Sequence, residues 1–149
     1  MKNNKIAIYG REFQEAVIPY VRQLFDFLSS KGVEYHIHEE FKHFLEQKGL
    51  CKHNCLVYME DAPLDRDFDL MLSLGGDGTM LAAVSIVGDS GIPVAGINFG
   101  RLGFLAGINK DDIQDSLSAI LEGDYAIDSR ALLSVQSPDS PLFGEKHFA

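Results

Sequence analysis

The stretch Leu70–Leu81, reading L-M-L-S-L-G-G-D-G-T-M-L, restricts the folds open to this 149-residue chain more than any other. A continuous apolar run empties into three glycines and one aspartate, and a helical pattern begins at once. Strands that are apolar throughout are those buried on both faces, as in parallel sheets covered by helices. Gly75, Gly76 and Gly78 permit positive φ angles and remove Cβ atoms, so a diphosphate can approach the backbone closely. The helix start that follows offers unpaired N–H groups and the positive end of a dipole. Thr79 can cap those amides or meet a phosphate oxygen. Asp77 runs against this logic, because a phosphate repels a carboxylate. It can ligate a magnesium ion shared with the phosphates, accept a proton from an attacking hydroxyl, or simply cap the turn. The dinucleotide pattern G-x-G-x-x-G and the P-loop pattern G-x-x-x-x-G-K-[ST] are both absent.

The rest of the chain alternates short apolar runs with amphipathic ones, the signature of βαβ units. Lys5–Tyr9 reads as a strand. Phe13, Val17, Tyr20, Val21, Leu24 and Leu28 recur at helical spacing, with Pro19 either kinking that helix or opening its first turn and Gly32 ending it. Val33–His38 alternates like a strand, Glu39–Lys48 reads as a short helix, and Cys55–Met59 and Asp69–Leu74 read as strands. Thr79–Val87 reads as a helix and Pro93–Ile97 as a buried strand. Asn109 or Asp111 can cap a further helix whose apolar face is Ile113, Leu117, Ile120 and Leu121. The expected fold is α/β: an open, mostly parallel Rossmann-like sheet with helices on both faces. Texture changes after Gly123, where Ala131–Gln136 reads as a strand and Ser137–Pro141 as a turn. Residues 1–124 are therefore expected to form one nucleotide-binding α/β domain and 125–149 the first part of a β-rich second domain.

Charge narrows the partners. A formal net charge of −9 argues against non-specific binding to nucleic acid or an anionic membrane, yet leaves a small nucleotide open. No apolar run approaches the roughly 20 residues of a membrane span, and the N-terminus lacks the pattern of a secretory signal. Two cysteines, Cys51 and Cys55, fit reduced thiols in a cytoplasmic protein rather than a disulfide framework. With His53 between them they fall short of a closed zinc site. His36 and His38 read as a solvated strand face, and the acidic run Glu60, Asp61, Asp65, Asp67 and Asp69 as a solvated loop. No metal ligand is assigned.

Gly75-Gly76-Asp77-Gly78-Thr79 resembles the GGDGT motif common to NAD kinases, diacylglycerol and sphingosine kinases and, more loosely, phosphofructokinases. Pro93–Leu105, P-V-A-G-I-N-F-G-R-L-G-F-L, separates them, being similar to the N-x-G-x-L-G-F-L segment of NAD kinases; the P-x-G-T-x-N-D stretch of the lipid kinases is absent. The resemblance implies transfer of the γ-phosphoryl of ATP to the 2′-hydroxyl of NAD, with magnesium or another divalent metal. It implies that Asp77 deprotonates that hydroxyl and that Gly75, Gly76, Gly78 and Thr79 face the pyrophosphate groups. Leu81 and Phe104 match apolar positions near the adenine of NAD, and Asn98 joins the binding set at the strand end. Arg101 can meet a phosphate or a neighbouring carboxylate. NAD kinases continue into a second domain with an Asn-Glu pair and a Thr-Gly-Ser loop, neither of which occurs here. The chain alone is thus expected to be inactive, and the full-length protein to be a homo-oligomer. A lipid or sugar kinase of the wider group and a non-catalytic nucleotide sensor are the competing readings.

Overall fold

The computed structural model describes residues 4–51, 55–59, 64–101 and 103–133. Six strands form one sheet: β1 (Lys5–Gly10), β2 (Glu34–His38), β3 (Leu56–Tyr58), β4 (Leu70–Leu74), β5 (Val94–Asn98) and β6 (Ile108–Asn109). Their order is β3-β2-β1-β4-β5-β6, and every adjacent pair is parallel. The chain winds outward from β1 in one direction, then restarts at β4 and winds outward in the other. That reversal puts a topological switch point between β1 and β4, where sheets of this kind bind ligands beyond the strands' C-terminal ends.

Four helices cover the sheet: α1 (Ile18–Ser30), α2 (Glu39–Gln47), α3 (Asp77–Val87) and α4 (Ile113–Glu122). Alternation along the central strands explains the two layers. Ile6, Ile8, Leu70, Leu72 and Leu74 point one way, into a core with Val21, Leu24 and Leu28 of α1, Phe41 and Leu45 of α2, and Ile113 and Leu117 of α4. Ala7 and Met71 point the other way, toward Ala83 and Val87 of α3 and toward Leu64, Phe68 and Ile92. A right-handed crossover reverses face when the winding direction reverses, so among the described residues α3 is the helix on its side, joined there by Leu64, Phe68 and Ile92.

Pro19 resolves as the opening of a turn. A single 3₁₀ turn, Glu15–Val17, precedes α1, and Pro19 occupies the helix's first turn, where its missing N–H costs nothing. Phe13 lies ahead of the helix with its ring against Phe44. At the far end the Val33 and Gly32 amides donate to the Leu28 and Ser29 carbonyls, a closing bond pair with Gly32 at φ 64° as the sequence predicts. Asn109 caps the 3₁₀ turn Lys110–Asp112 through its bond from the Asp111 amide, and α4 follows.

Three expectations need correction. Cys51 and Cys55 are paired in a disulfide instead of being free thiols; the turn after α2 sets their Cα atoms 6.7 Å apart, within bridging reach. His38 is buried between the rings of Tyr9 and Tyr58 rather than solvated, because those neighbours from β1 and β3 flank it and Phe68 packs against Tyr58 and His36 beside it. Residues 131–133 have no strand structure and are exposed, so the start of the expected strand is absent there. Its remainder, the turn Ser137–Pro141 and residues 60–63 of the acidic run lie outside the described residues. No helix among the described residues is long and apolar enough to cross a membrane.

Candidate functional site

Strand β4 delivers Gly75 to the C-terminal edge of the sheet, where its amide donates to the Ile97 carbonyl of β5 at 2.9 Å. The chain then turns straight into α3, which begins at Asp77, two residues before the sequence pattern places it. Gly75 has φ 153°, and a Cβ there would sit 2.5 Å from Thr79 Oγ1, so both conformation and space require glycine. Gly76 is the N-cap and offers no side chain, and no side-chain hydrogen bond caps the helix. Thr79, buried beneath the turn, therefore does not cap; its amide and that of Met80 both donate to the Gly76 carbonyl. The amides ahead of Thr79 face outward without a side-chain partner, which suits an anionic group.

The second motif forms the crossover from β5 to β6. Asn98, buried at the end of β5, shapes its start: Oδ1 accepts from the Gly100 amide at 2.9 Å and Nδ2 donates to the Arg101 carbonyl at 2.7 Å. Both ends of the Asn98 amide are thus engaged in building the loop. Arg101 is exposed at its tip.

The two motifs meet at Asp77. Its Oδ2 accepts from the Phe104 amide at 2.8 Å, and its Oδ1 accepts from the Leu105 and Ala106 amides at 3.0 and 3.3 Å. Gly103 makes the close approach possible, because a Cβ at that position would overlap the Asp77 carboxylate. The Phe104 and then the Leu105 hydrogen bond hold the Asp77 carboxyl below the usual carboxylate range, with Ala106 adding to them and partial burial opposing. Asp77 is consequently an anion at neutral pH. A carboxylate has about four lone-pair sites, so three donors leave one acceptor position on Oδ2. Sequence reasoning missed this clasp. Both motifs are visible in the sequence, but nothing in a spacing of 27 residues says that one carboxylate joins them.

The clasp leaves Phe104 96% exposed, which excludes a core role for its ring, and Leu81 on α3 is 52% exposed. Two large apolar side chains near a glycine turn, left open to solvent, suit an apolar ligand face. Gly75, Gly76, Gly78, Thr79, Asp77, Leu81, Asn98 and Phe104 all lie on the turn, on the first part of α3 or on the adjoining crossover. Among the described residues no three His, Cys, Asp or Glu side chains are grouped to hold a metal ion.

Residues 6–125 match the family profile described as the ATP-NAD kinase N-terminal domain. The chain is 39% identical to the NAD kinase of Flavobacterium johnsoniae over 146 residues, 97% of this chain and 50% of that protein. It is 38% identical to the NAD kinase of Cytophaga hutchinsonii over 143 residues, 96% of this chain and 49% of that protein. The chain therefore spans about half the length of these relatives. Among solved structures, a yeast NADH kinase complexed with NADH aligns with a TM-score of 0.63 at 21% identity, over 81% of this chain and 36% of that one. An NAD kinase from Archaeoglobus fulgidus in complex with ATP aligns with a TM-score of 0.54 at 20% identity, over 80% and 37%. At these identities the structural matches establish the fold.

Proposed function

The chain belongs to the ATP-NAD kinase family, whose N-terminal domain it carries, and from that premise we propose that the protein moves the γ-phosphoryl group of ATP onto the adenosine 2′-hydroxyl of NAD, giving NADP. The observation that carries this reading is the clasp, which brings the glycine turn and the second motif together on one carboxylate. Phosphoryl transfer asks mostly for positioning and charge stabilisation, with little covalent work from the protein. Gly75, Gly76 and Gly78 keep the turn free of side chains so that the first amides of α3 are open toward the phosphates, and the dipole of α3 favours their charge. Thr79 supports the turn from beneath. Asn98 fixes the crossover, and Phe104 and Leu81 offer apolar contact to the adenine of NAD.

Asp77 takes the hydroxyl. Its free Oδ2 position accepts the hydrogen bond of the 2′-hydroxyl, orients the oxygen for in-line attack on the γ-phosphorus, and receives the proton as the new P–O bond forms and the bond from that phosphorus to the β,γ-bridging oxygen breaks, releasing ADP. A divalent metal arriving with the nucleotide would supply neutralisation of phosphate charge. The residues present fit a metal that arrives with its nucleotide, since Asp77 is the carboxylate on the turn and three amides already occupy it.

The reading places the protein in the cytoplasm, where ATP and NAD meet, and as a homo-oligomer when full length. It also holds that the 149 residues alone turn over NAD very slowly or not at all. The test is NADP formation by the full-length protein given NAD, ATP and magnesium. Asp77→Asn keeps the fold and lowers kcat by about 10²–10⁴-fold. A variant within threefold of wild type removes Asp77 from the mechanism. No NADP from a folded protein sends the acceptor search to lipids and sugars.

A further inference from the structure

Helix α2 ends in a tight turn that prepares a different chemistry from that of the glycine turn. The Lys48 and Gly49 amides donate back to the Phe44 and Glu46 carbonyls, and the Leu50 amide donates to the Leu45 carbonyl at 2.9 Å, with Gly49 at φ 66°. The chain leaving this turn carries Cys51, and β3 begins directly after Cys55. These are the chain's two cysteines, and they are joined in a disulfide across a sequence separation of 4, with Cα atoms 6.7 Å apart. Both pack against the larger core cluster and remain partly exposed. Neither belongs to either sequence motif.

A bridge that closes so short a loop is a poor staple, because the entropy it removes from the unfolded chain grows with loop length. The core that holds this chain is built from four strands and three helices and does not need one. Compartment points the same way. Where ATP and NAD meet, thiols are kept reduced, and the disulfides found there are mostly transient ones that catalyse or sense. Placement says what such a bridge acts on. Strand β3 is the sheet's edge, spans Leu56–Tyr58, and pairs with β2 alone among the described strands. The bridge ties its start to the end of α2. At its other end Tyr58 donates to the Ile8 carbonyl at 3.2 Å and sets its ring against His38.

We propose that Cys51 and Cys55 are a redox modification site, a dithiol–disulfide couple that exchanges with small-molecule disulfides and, when closed, fastens edge strand β3 to helix α2. The proposal rests on the kinase reading above for its compartment. In the closing direction one cysteine thiolate attacks a sulfur of glutathione disulfide; that S–S bond breaks, one glutathione leaves as thiolate, and a mixed disulfide forms. The second cysteine thiolate then attacks the protein sulfur of the mixed disulfide, expelling the second glutathione and closing the Cys51–Cys55 bond. The cysteines give up two electrons, which reduce one glutathione disulfide to two glutathiones, and the protons they shed go to the departing thiolates. Opening is the same path reversed. The turn at Gly49 has backbone bonds of its own, so it keeps Cys51 in place for reclosure. With the bridge open, β3 rests on its ladder to β2 and on the Tyr58 contacts.

A redox titration of the 149-residue chain tests this: glutathione buffers of graded ratio, acid quench, alkylation of thiols and mass measurement. One two-electron transition is expected, between a doubly alkylated dithiol and an unalkylated bridge, and it should be the same approached from either side. Cys51→Ser and Cys55→Ser should each stop at the mixed disulfide with glutathione, since the second thiol is gone. Hydrogen exchange on the wild-type samples should show the amides of residues 56–58 exchanging about tenfold faster in the reduced form, with those of β1 and β4 little changed. The mass and exchange readings use the wild-type chain, so they decide the matter even if a serine variant fails to fold. A bridge that persists in excess reduced glutathione, one that never forms in oxidised glutathione, or equal exchange at residues 56–58 in both forms overturns the proposal. The failures separate cleanly: NADP formation by a full-length protein whose bridge never opens sinks the couple alone, whereas a reversible bridge in a protein that makes no NADP sinks the kinase reading alone.

Discussion

At the scale of single residues, the meeting of Asp77 with three amides sets what the site can do. A carboxylate whose folded-state pKa is depressed contributes stability above its unfolded value, near 3.9, and loses it only as pH falls through the lower folded value. The Phe104, Leu105 and Ala106 amide resonances should therefore stay fixed from pH 7 to pH 5 and move together only below the ordinary carboxylate range. A midpoint above pH 4.5 contradicts the clasp. Gly103→Ala tests it from the other side. The added Cβ meets the end of a side chain that can swing away, so the melting temperature should change little while the clasp opens. The same three resonances should shift, and kcat of the full-length enzyme should fall at least tenfold. Unchanged resonances in Gly103→Ala would show that the loop does not depend on this glycine.

At the scale of elements, periodicity made most of the fold readable, and its failures have physical causes. The helices α1, α2 and α4 carry apolar stripes on one face, and the central strands are short apolar runs; both patterns survive in a bare sequence. Strand β6 was not foreseen because Ile108–Asn109 is too short to show any period and is defined only by pairing with Ile97–Asn98. Burial of His38 and pairing of Cys51 with Cys55 depend on what packs over them, which no local pattern encodes. In the site, the glycine turn and the exposed Phe104 were legible from the motifs, whereas the Asp77 clasp needed three dimensions. Strand β4 also holds an uncompensated group: Ser73 Oγ is buried without a hydrogen-bond partner. Leaving a buried hydroxyl unpaired costs about 1–3 kcal/mol, so Ser73→Ala should raise unfolding stability by about 1 kcal/mol in urea. A loss of similar size means that the hydroxyl is satisfied in solution.

At the scale of the whole molecule, the described chain leaves helix α4 at Gly123 and runs on without regular structure to residue 133. That segment exposes Tyr125, Ile127 and Leu133 by 50, 67 and 73%. Apolar side chains gathered on one open segment favour association. Sedimentation of the 149-residue chain should show self-association that grows with concentration and is reduced by combining Ile127→Ser with Leu133→Ser. A monomer at all concentrations, in wild type and variant alike, removes these residues as a contact surface. The all-parallel sheet has a practical consequence as well. Every strand ends on the same edge as the glycine turn, which sets that edge apart from the opposite one. There the tight connection Gly88–Ile92 joins α3 back to β5 and Asp89 and Gly91 are exposed. A fluorophore or surface tether attached at Asp89 would thus report on, or immobilise, the molecule from behind, leaving the glycine-turn edge open to solution.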